Sequence, residues 1–173
     1  MENKIINKLC FVIGLWIAFI LTGCASAVPA QYTVYISPEF TPHQISQIED
    51  GVLKWNKLII IHPPQFKFRV QEASSHSPFR YNTIYIYPGL TYNNELGWTN
   101  WYGPNNVAWI KLNDIPEDWF LKVVIHETGH ALGLDHMNRF SIMNPYVDKM
   151  SDYITKEDID LLCNEHPSWC FLE

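Results

Sequence analysis

Residues 126–136 read His126-Glu127-Thr128-Gly129-His130-Ala131-Leu132-Gly133-Leu134-Asp135-His136, and they carry the strongest signal in the chain. Because His126 and His130 are four residues apart, one turn of helix places both imidazoles on one face, where a single metal ion can span them. A catalytic zinc ion needs a third protein ligand. Six more helical residues would carry His136 about 9 Å along the axis, so the helix must end before it. Gly133 stands where the chain can turn back.

Glu127 is next to a predicted ligand but projects at a different helical angle. Its carboxylate can therefore reach a zinc-activated water molecule without binding the metal. We predict that Glu127 is a general base, which takes the proton of this water and passes it to a leaving group. One catalytic Zn²⁺ ion, held by His126, His130 and His136, is the predicted cofactor. The alternatives are separate core or surface histidines, or a bound but inactive metal.

Two long helices and a short one are predicted around this segment. The helix that carries His126 extends from about Glu117 to Leu132, and its nearly continuous apolar surface is typical of a buried helix. An amphipathic helix opens at Thr41-Pro42 and keeps helical spacing of apolar residues as far as Ile59. A short helix begins at Thr155, which is a good N-cap residue.

The remaining apolar runs predict strands. Alternating or β-rich residues form four such runs, at 31–37, 66–70, 83–87 and 107–112. Residues 91–106 are rich in Asn, Gly, Trp and Tyr and are predicted to form an ordered loop. Together these elements predict an α+β fold.

Composition limits the function classes. The chain has 173 residues, 47% of them apolar, which suits one domain with a sizeable core. Its net charge of −6 and its lack of Lys/Arg runs argue against nucleic-acid binding, since phosphates would repel this surface.

The N-terminal residues resemble an export signal. Lys4 and Lys8 precede an apolar run from Leu9 to Leu21, which is short for a membrane span. Leu21-Thr22-Gly23-Cys24 resembles a bacterial lipobox, so residues 1–23 are predicted to be a lipoprotein signal peptide and Cys24 a lipidated N-terminus. The alternative is an ordinary signal peptide that is cut later, near Ala25-Ser26-Ala27. Either way the protein is predicted to be exported, lipid-anchored to the cell envelope or otherwise secreted.

Two cysteines remain once Cys10 is removed with the signal and Cys24 is lipidated. Cys163 and Cys170 are then a candidate disulfide in an oxidising compartment. Two free cysteines are the alternative.

The segment from His126 to His136 resembles the extended zinc motif of the metzincins, and most of all that of the matrixins, the matrix-metalloproteinase-like peptidases. Ser141-Ile142-Met143-Asn144-Pro145 resembles their Met-turn. The resemblance implies that Met143 lies under the zinc-bound imidazoles and that Pro145 borders the S1′ pocket. Without its position after His136, Met143 would be interpreted as a core methionine.

Some positions differ from the matrixin pattern. Tyr146 follows Met143 by three residues, whereas matrixins often have a tyrosine four residues after the methionine and the related astacins and serralysins have one two residues after it. Tyr146 is therefore either an oxyanion or zinc-site residue, or a pocket-wall or packing residue. The family often binds a structural zinc and calcium in a His/Asp-rich segment. Here only His76 and a few Asn and Glu residues occupy that region, which leaves structural zinc or calcium open. Four histidines lack paired ligand spacing and are interpreted as exposed or structural: His43, His62, His76 and His166.

Two further expectations concern a substrate cleft. The strand at 107–112 is predicted to be the edge that pairs an extended substrate. Three tryptophans either line the cleft or belong to the core: Trp98, Trp101 and Trp109.

The resemblance implies a metzincin-like zincin catalytic domain at residues 24–173, with a twisted mixed sheet, two long helices and a C-terminal helix. It also implies a zinc-dependent endopeptidase that hydrolyses peptide bonds of extracytoplasmic proteins, with a protein or peptide as substrate. A monomer is the default oligomeric state. The main rival is a surface-anchored, zinc-containing binding lipoprotein without proteolytic activity. An anchored structural protein of the envelope, with no zinc requirement, is a third hypothesis.

Overall fold

The computed structural model describes residues 30–59, 63–71, 81–92, 95–103 and 106–170. The predicted signal peptide at 1–23, Cys24, His62 and His76 lie outside these residues. Across the described ranges, no helix combines the length and apolar character that crossing a membrane requires.

Five strands and four α-helices make up the described chain. The strands are β1 (Gln31–Ile36), β2 (Gln65–Val70), β3 (Thr83–Pro88), β4 (Gly97–Tyr102) and β5 (Val107–Leu112). The helices are α1 (Pro42–Asn56), α2 (Glu117–Ala131), α3 (Lys156–Glu165) and α4 (Pro167–Cys170), and a short 3-10 helix covers Val147–Lys149. The four predicted strands and both predicted long helices are confirmed within one or two residues, apart from the end of α1.

The sheet has the strand order β2-β1-β3-β5-β4. The first four are parallel, and β4 pairs antiparallel with β5 at one edge. The prediction of a mixed sheet is confirmed, and the structure is α+β. Two expectations are wrong: residues 97–102 form a strand instead of loop, and β5 is an inner strand. A hairpin turn reverses the chain after residue 102, so that residues 97–102 pair with β5 and become the edge strand. In this turn the Asn106 backbone N–H donates to the Gly103 carbonyl oxygen at 3.2 Å, and Asn106 takes a positive φ of 48°.

Both long helices pack on the same face of the sheet and enclose the main core. Thr41 caps α1 through a capping box with Gln44. The two helices approach closely at Gly51, where a Cβ atom would stand 2.6 Å from the Val124 side chain. Trp55, fully buried in α1, donates its indole N–H to the Ile125 carbonyl oxygen of α2 at 3.0 Å. These contacts fix α2, the helix that carries the predicted metal ligands.

The opposite face of the sheet carries an aromatic stack. Tyr85 stacks on Tyr35 with ring centroids 5.2 Å apart and on Trp109 with centroids 4.2 Å apart. Trp109 therefore lies away from the face that the helices cover.

The segment between α2 and α3 is mostly irregular and contains the 3-10 helix at Val147–Lys149. Helix α2 ends at Ala131 with Leu132 as its C-cap, and Gly133 takes a φ of +91°, which a residue with a Cβ adopts only with strain. Near the C-terminus, a disulfide joins Cys163 and Cys170 and closes the turn between α3 and α4.

Candidate active site

Three histidines converge at the C-terminal end of α2. His126 and His130 project from one face of the helix, and the left-handed turn at Gly133 returns the chain so that His136 meets them. The Nε2 atoms of His126 and His130 are 3.0 Å apart, and one ligand atom from each of the three rings lies within 4.8 Å of the others. Across the described ranges, this is the only group of three or more His, Cys, Asp or Glu side chains placed to hold a metal ion.

Backbone carbonyl groups set the tautomers of the two helical histidines. The Nδ1 atom of His126 lies 2.8 Å from the Ile142 carbonyl oxygen, and that of His130 lies 2.7 Å from the Leu134 carbonyl oxygen. Each Nδ1 must therefore carry the proton and donate it, which leaves both Nε2 atoms as lone pairs. Two lone pairs that face each other at 3.0 Å repel unless a cation lies between them. The donor set fits a zinc ion, which binds neutral imidazole nitrogens.

Burial keeps these imidazoles neutral. It lowers the pKa of His126 to about 3, and the charge that a protonated His130 would carry acts in the same direction. Burial also lowers the pKa of His130, against the opposing effect of its bond to Leu134. A neutral ring is the form that binds a metal ion, so burial prepares both side chains for this task.

The turn at residues 141–145 supports two of the predicted ligands, His126 and His136. The Ile142 carbonyl oxygen accepts from His126, and the Met143 carbonyl oxygen accepts the backbone N–H of Met137, next to His136, at 2.8 Å. The Met143 side chain is fully buried against Gly129, where a Cβ atom would collide with its sulfur. Gly129, between the two helical ligands, therefore allows the methionine to pack against α2.

A buried carboxylate anchors this turn. Asp158, in the first turn of α3, is inaccessible to solvent and accepts hydrogen bonds from the Ser141 hydroxyl group and from the Ile142 backbone N–H at 3.3 Å. It also accepts from the Thr155 N–H and hydroxyl groups at 2.8 and 2.7 Å. A continuous path of bonds thus joins the start of α3 to His126.

Glu127 lies beside the three converging histidines, which we call the histidine triad, in a cleft of the protein surface. Its carboxylate accepts the Thr99 hydroxyl of β4 at 2.5 Å, and burial raises its pKa to about 7, although the bond from Thr99 opposes this shift. Gly97 leaves the space that the carboxylate fills, since a Cβ atom there would stand 2.5 Å from Oε1. A metal ion held by the three histidines would lower this pKa.

The cleft that contains these groups has a volume of about 1010 Å³ and runs between β4 and the segment after Gly133. Pro145 and Tyr146 line it, and Tyr146 is 59% exposed with the Lys149 Nζ atom 4.6 Å from its ring centroid. Trp98 and Trp101 also line it.

The two other described histidines lie outside the triad. His43 is exposed and lies 3.3 Å from a carboxylate oxygen of Glu117. His166 stacks on Trp169 and bonds through Nε2 to the Leu132 carbonyl oxygen at 2.7 Å.

Sequence reasoning missed the residues that position Glu127 and His126. Gly97 and Thr99 lie within residues 91–106, whose Asn, Gly and aromatic content predicts a loop. The aromatic and β-branched run at 97–102, followed by Gly103-Pro104-Asn105-Asn106, was the available signal for a hairpin. Asp158 falls in the first turn of the short helix predicted to begin at Thr155, and nothing local in the sequence indicates that it reaches residues 141–142.

The matrixin family model matches residues 96–163, which include the three histidines, Glu127 and Met143. Over these residues the chain is similar to the matrixins, which are metzincins. Zinc is the cofactor of this group, and the predicted zinc ligands are the three side chains that the structure brings together. No curated protein matches the chain.

Several solved structures are similar to parts of the chain. A hatching enzyme zinc-protease from the medaka fish Oryzias latipes is 19% identical with a TM-score of 0.46, covering 65% of this chain and 48% of its own. Archaemetzincin from Methanopyrus kandleri is 16% identical with a TM-score of 0.48, covering 81% and 97%. Myroilysin is 18% identical with a TM-score of 0.43, covering 88% and 67%. The chain spans about half the length of the hatching enzyme.

Proposed function

We propose that the protein is a zinc-dependent endopeptidase that hydrolyses peptide bonds of extracytoplasmic proteins. The observation that carries the proposal is the position of Glu127, a buried carboxylate in the same cleft as three converging imidazoles. A zinc site that served structure alone would not need a buried carboxyl group without a positively charged side chain to pair with it, because burying such a group costs free energy. The matrixin match over the same residues supports this choice.

The chain supplies ligands, a base and a means of orienting both. When bound, zinc supplies Lewis-acid activation of water and of the scissile carbonyl group. Glu127 takes the proton of the attacking water and returns it to the leaving amine. Thr99 holds one carboxylate oxygen by its 2.5 Å hydrogen bond, so the other oxygen is free for this transfer. Gly97 leaves the room that the Glu127 side chain occupies, since a Cβ atom there would stand 2.5 Å from Oε1.

An extended substrate pairs with β4, the edge strand beside the triad. Pro145 and Val147 line the cleft together with Val123 and form an apolar wall, which suits an apolar substrate side chain next to the scissile bond. Tyr146 belongs to this wall, since its exposure and its contact with Lys149 fit a pocket residue better than an oxyanion donor.

Export and anchoring complete the proposal. Residues 1–23 act as a lipoprotein signal peptide, and a lipid on Cys24 ties the catalytic domain at 24–173 to the membrane of the cell envelope. The substrates are then proteins or peptides outside the cytoplasm. Metabolic labelling with a clickable fatty acid, compared between the natural chain and Cys24→Ala, tests this step. Label on both proteins, or on neither, would contradict it.

The rival is a surface-anchored, zinc-containing binding lipoprotein without proteolytic activity. To separate the two, zinc content and cleavage of a broad peptide library are measured for the natural chain and for Glu127→Gln, with a chelator control. The endopeptidase predicts about one zinc per chain in both proteins. It predicts cleavage only in the first, and none after chelation. Zinc without cleavage in either protein would favour the rival, and absence of zinc would overturn the site.

A further inference from the structure

The charge of the cleft is one-sided. Besides Glu127, four exposed carboxylates line it, and no Lys or Arg does: Glu95, Asp135, Asp148 and Glu165. None of the four forms an ion pair within the part of the chain that the structure describes. The nearby Lys149 amine lies over the Tyr146 ring, near the Pro145 end. A negative cleft with low-dielectric walls concentrates cations.

Part of the cleft lining, which we call the Gly133 end, comprises Trp101, Asp135 and Glu165. The Trp101 indole lies over Gly133, with ring atoms 3.5 and 3.6 Å from the place where a Cβ atom would stand, and it is 41% exposed. Asp135 follows two residues later in the chain. An exposed indole and carboxylates that line the same cleft can together bind a Lys or Arg side chain, through cation–π and ionic contacts.

Glu165 occupies a position that costs stability. It is the last residue of α3, where the negative end of the helix dipole repels a carboxylate, and no basic residue lies in that last turn. His166 beside it bonds to the Leu132 carbonyl oxygen, and this bond holds Glu165 at the Gly133 end. Glu165 thus goes against the preference for basic residues at a helix C-terminus, and no contact offsets this cost among the described residues. Such an exception indicates a functional role.

We propose that the Gly133 end selects cationic side chains, so that the preferred substrates carry Lys or Arg on the residues that lie there. This inference rests on the proposed peptidase function and names its substrate class. The carboxylates attract the basic residue, and Trp101 stacks on its side chain. Screening by salt weakens this selection.

The test is a position-scanning set of quenched peptides that differ only in Lys, Gln or Glu at each of four residues on either side of the scissile bond. We expect at least one position where the natural protein has a kcat/KM about tenfold higher for Lys than for Glu, a factor that falls with added salt. In Glu165→Lys this ratio should fall about tenfold. Asp50→Lys, the same charge change on the exposed face of α1, should keep the natural ratio. An unchanged ratio in Glu165→Lys would overturn the inference.

A binding measurement separates this inference from the proposed function. Glu127→Gln loaded with zinc is titrated with the Lys and the Glu peptides, and tryptophan fluorescence is recorded. Tighter binding of the Lys peptide, lost in Glu127→Gln/Glu165→Lys, supports the cationic selection even if no peptide is cleaved. Cleavage without any charge preference would overturn the cationic selection but would still support the proposed peptidase function. Denaturant unfolding of Glu165→Lys should occur at the natural midpoint or above it, because the change favours the helix dipole.

Discussion

The Nδ1 atom of His126 lies 2.8 Å from the carbonyl oxygen of Ile142, sixteen residues later in the chain. This bond orients the ring and fixes its tautomer, so the free Nε2 atom points at the other ligands. The peptide that supplies the carbonyl group is in turn held by Asp158 through the Ile142 N–H and the Ser141 hydroxyl. The geometry of the first ligand therefore depends on a carboxylate in another helix.

Asp158→Asn should weaken zinc binding roughly tenfold or more, as loss of a residue that orients a ligand does in other zinc sites. It should also lower the free energy of unfolding by about 3 kcal/mol, because an amide cannot accept all the donors that face the buried carboxylate. Zinc affinity is measured by competition with a chelator of known strength. Asp160→Asn, an exposed neighbour on α3 that pairs with Lys156, is the control and should change little. Equal affinities in the two variants would contradict the argument.

Thr99→Val should shift the acid limb of the kcat/KM profile to higher pH and reduce kcat/KM by roughly tenfold. The reason is that the Thr99 hydroxyl stabilises the charged form of Glu127, so its loss raises the pKa of the base. The profile is recorded with one quenched peptide from pH 5 to 9 at saturating zinc. Thr83→Val makes the same substitution on β3, outside the cleft lining, and should leave the limb in place. An unshifted limb in Thr99→Val would exclude this role.

Periodicity and caps predicted most of the fold because those signals are local. The Thr41 capping box, the buried pattern of α2 and the stop at Gly133 each depend on residues a few positions apart. Thr99 and Asp158 could not be assigned in this way, since their partners lie 28 and 16 or 17 residues away and depend on how the strands and helices pack. The misplaced edge strand has the same origin, because strand order is a property of the whole sheet.

The metal-free protein should lose stability as the pH falls below about 6.5. Folded His126 stays neutral down to about pH 3, whereas the unfolded side chain takes up a proton near 6.5, so acid favours the unfolded state. Glu127 acts in the opposite direction: between 4.5 and about 7 the folded carboxyl keeps a proton that the unfolded one releases, so it stabilises the folded state at the acid end.

Glu127→Gln should therefore make this acid destabilisation steeper, by about 1.4 kcal/mol per pH unit between pH 4.5 and 6.5. Urea unfolding in the presence of a chelator, followed by tryptophan fluorescence at several pH values, gives the slope of the free energy of unfolding against pH for the natural chain and for Glu127→Gln. Parallel curves for the two proteins would show that the pKa of Glu127 is not raised in the metal-free fold.

The Cys163–Cys170 disulfide and His166, which lies inside its loop, should have separable effects. Cys163→Ala/Cys170→Ala removes a crosslink between residues seven apart, which should lower the free energy of unfolding by about 2–3 kcal/mol through the unfolded state. Trp169 stays buried against Tyr32, so the folded zinc site and its affinity should change little. His166→Ala instead removes the bond to the Leu132 carbonyl oxygen, at the point where the chain turns toward His136. That variant should bind zinc more weakly, since the third ligand loses support. Denaturant unfolding and chelator competition on both variants test the contrast, and a loss of zinc affinity in the cysteine variant alone would reverse it.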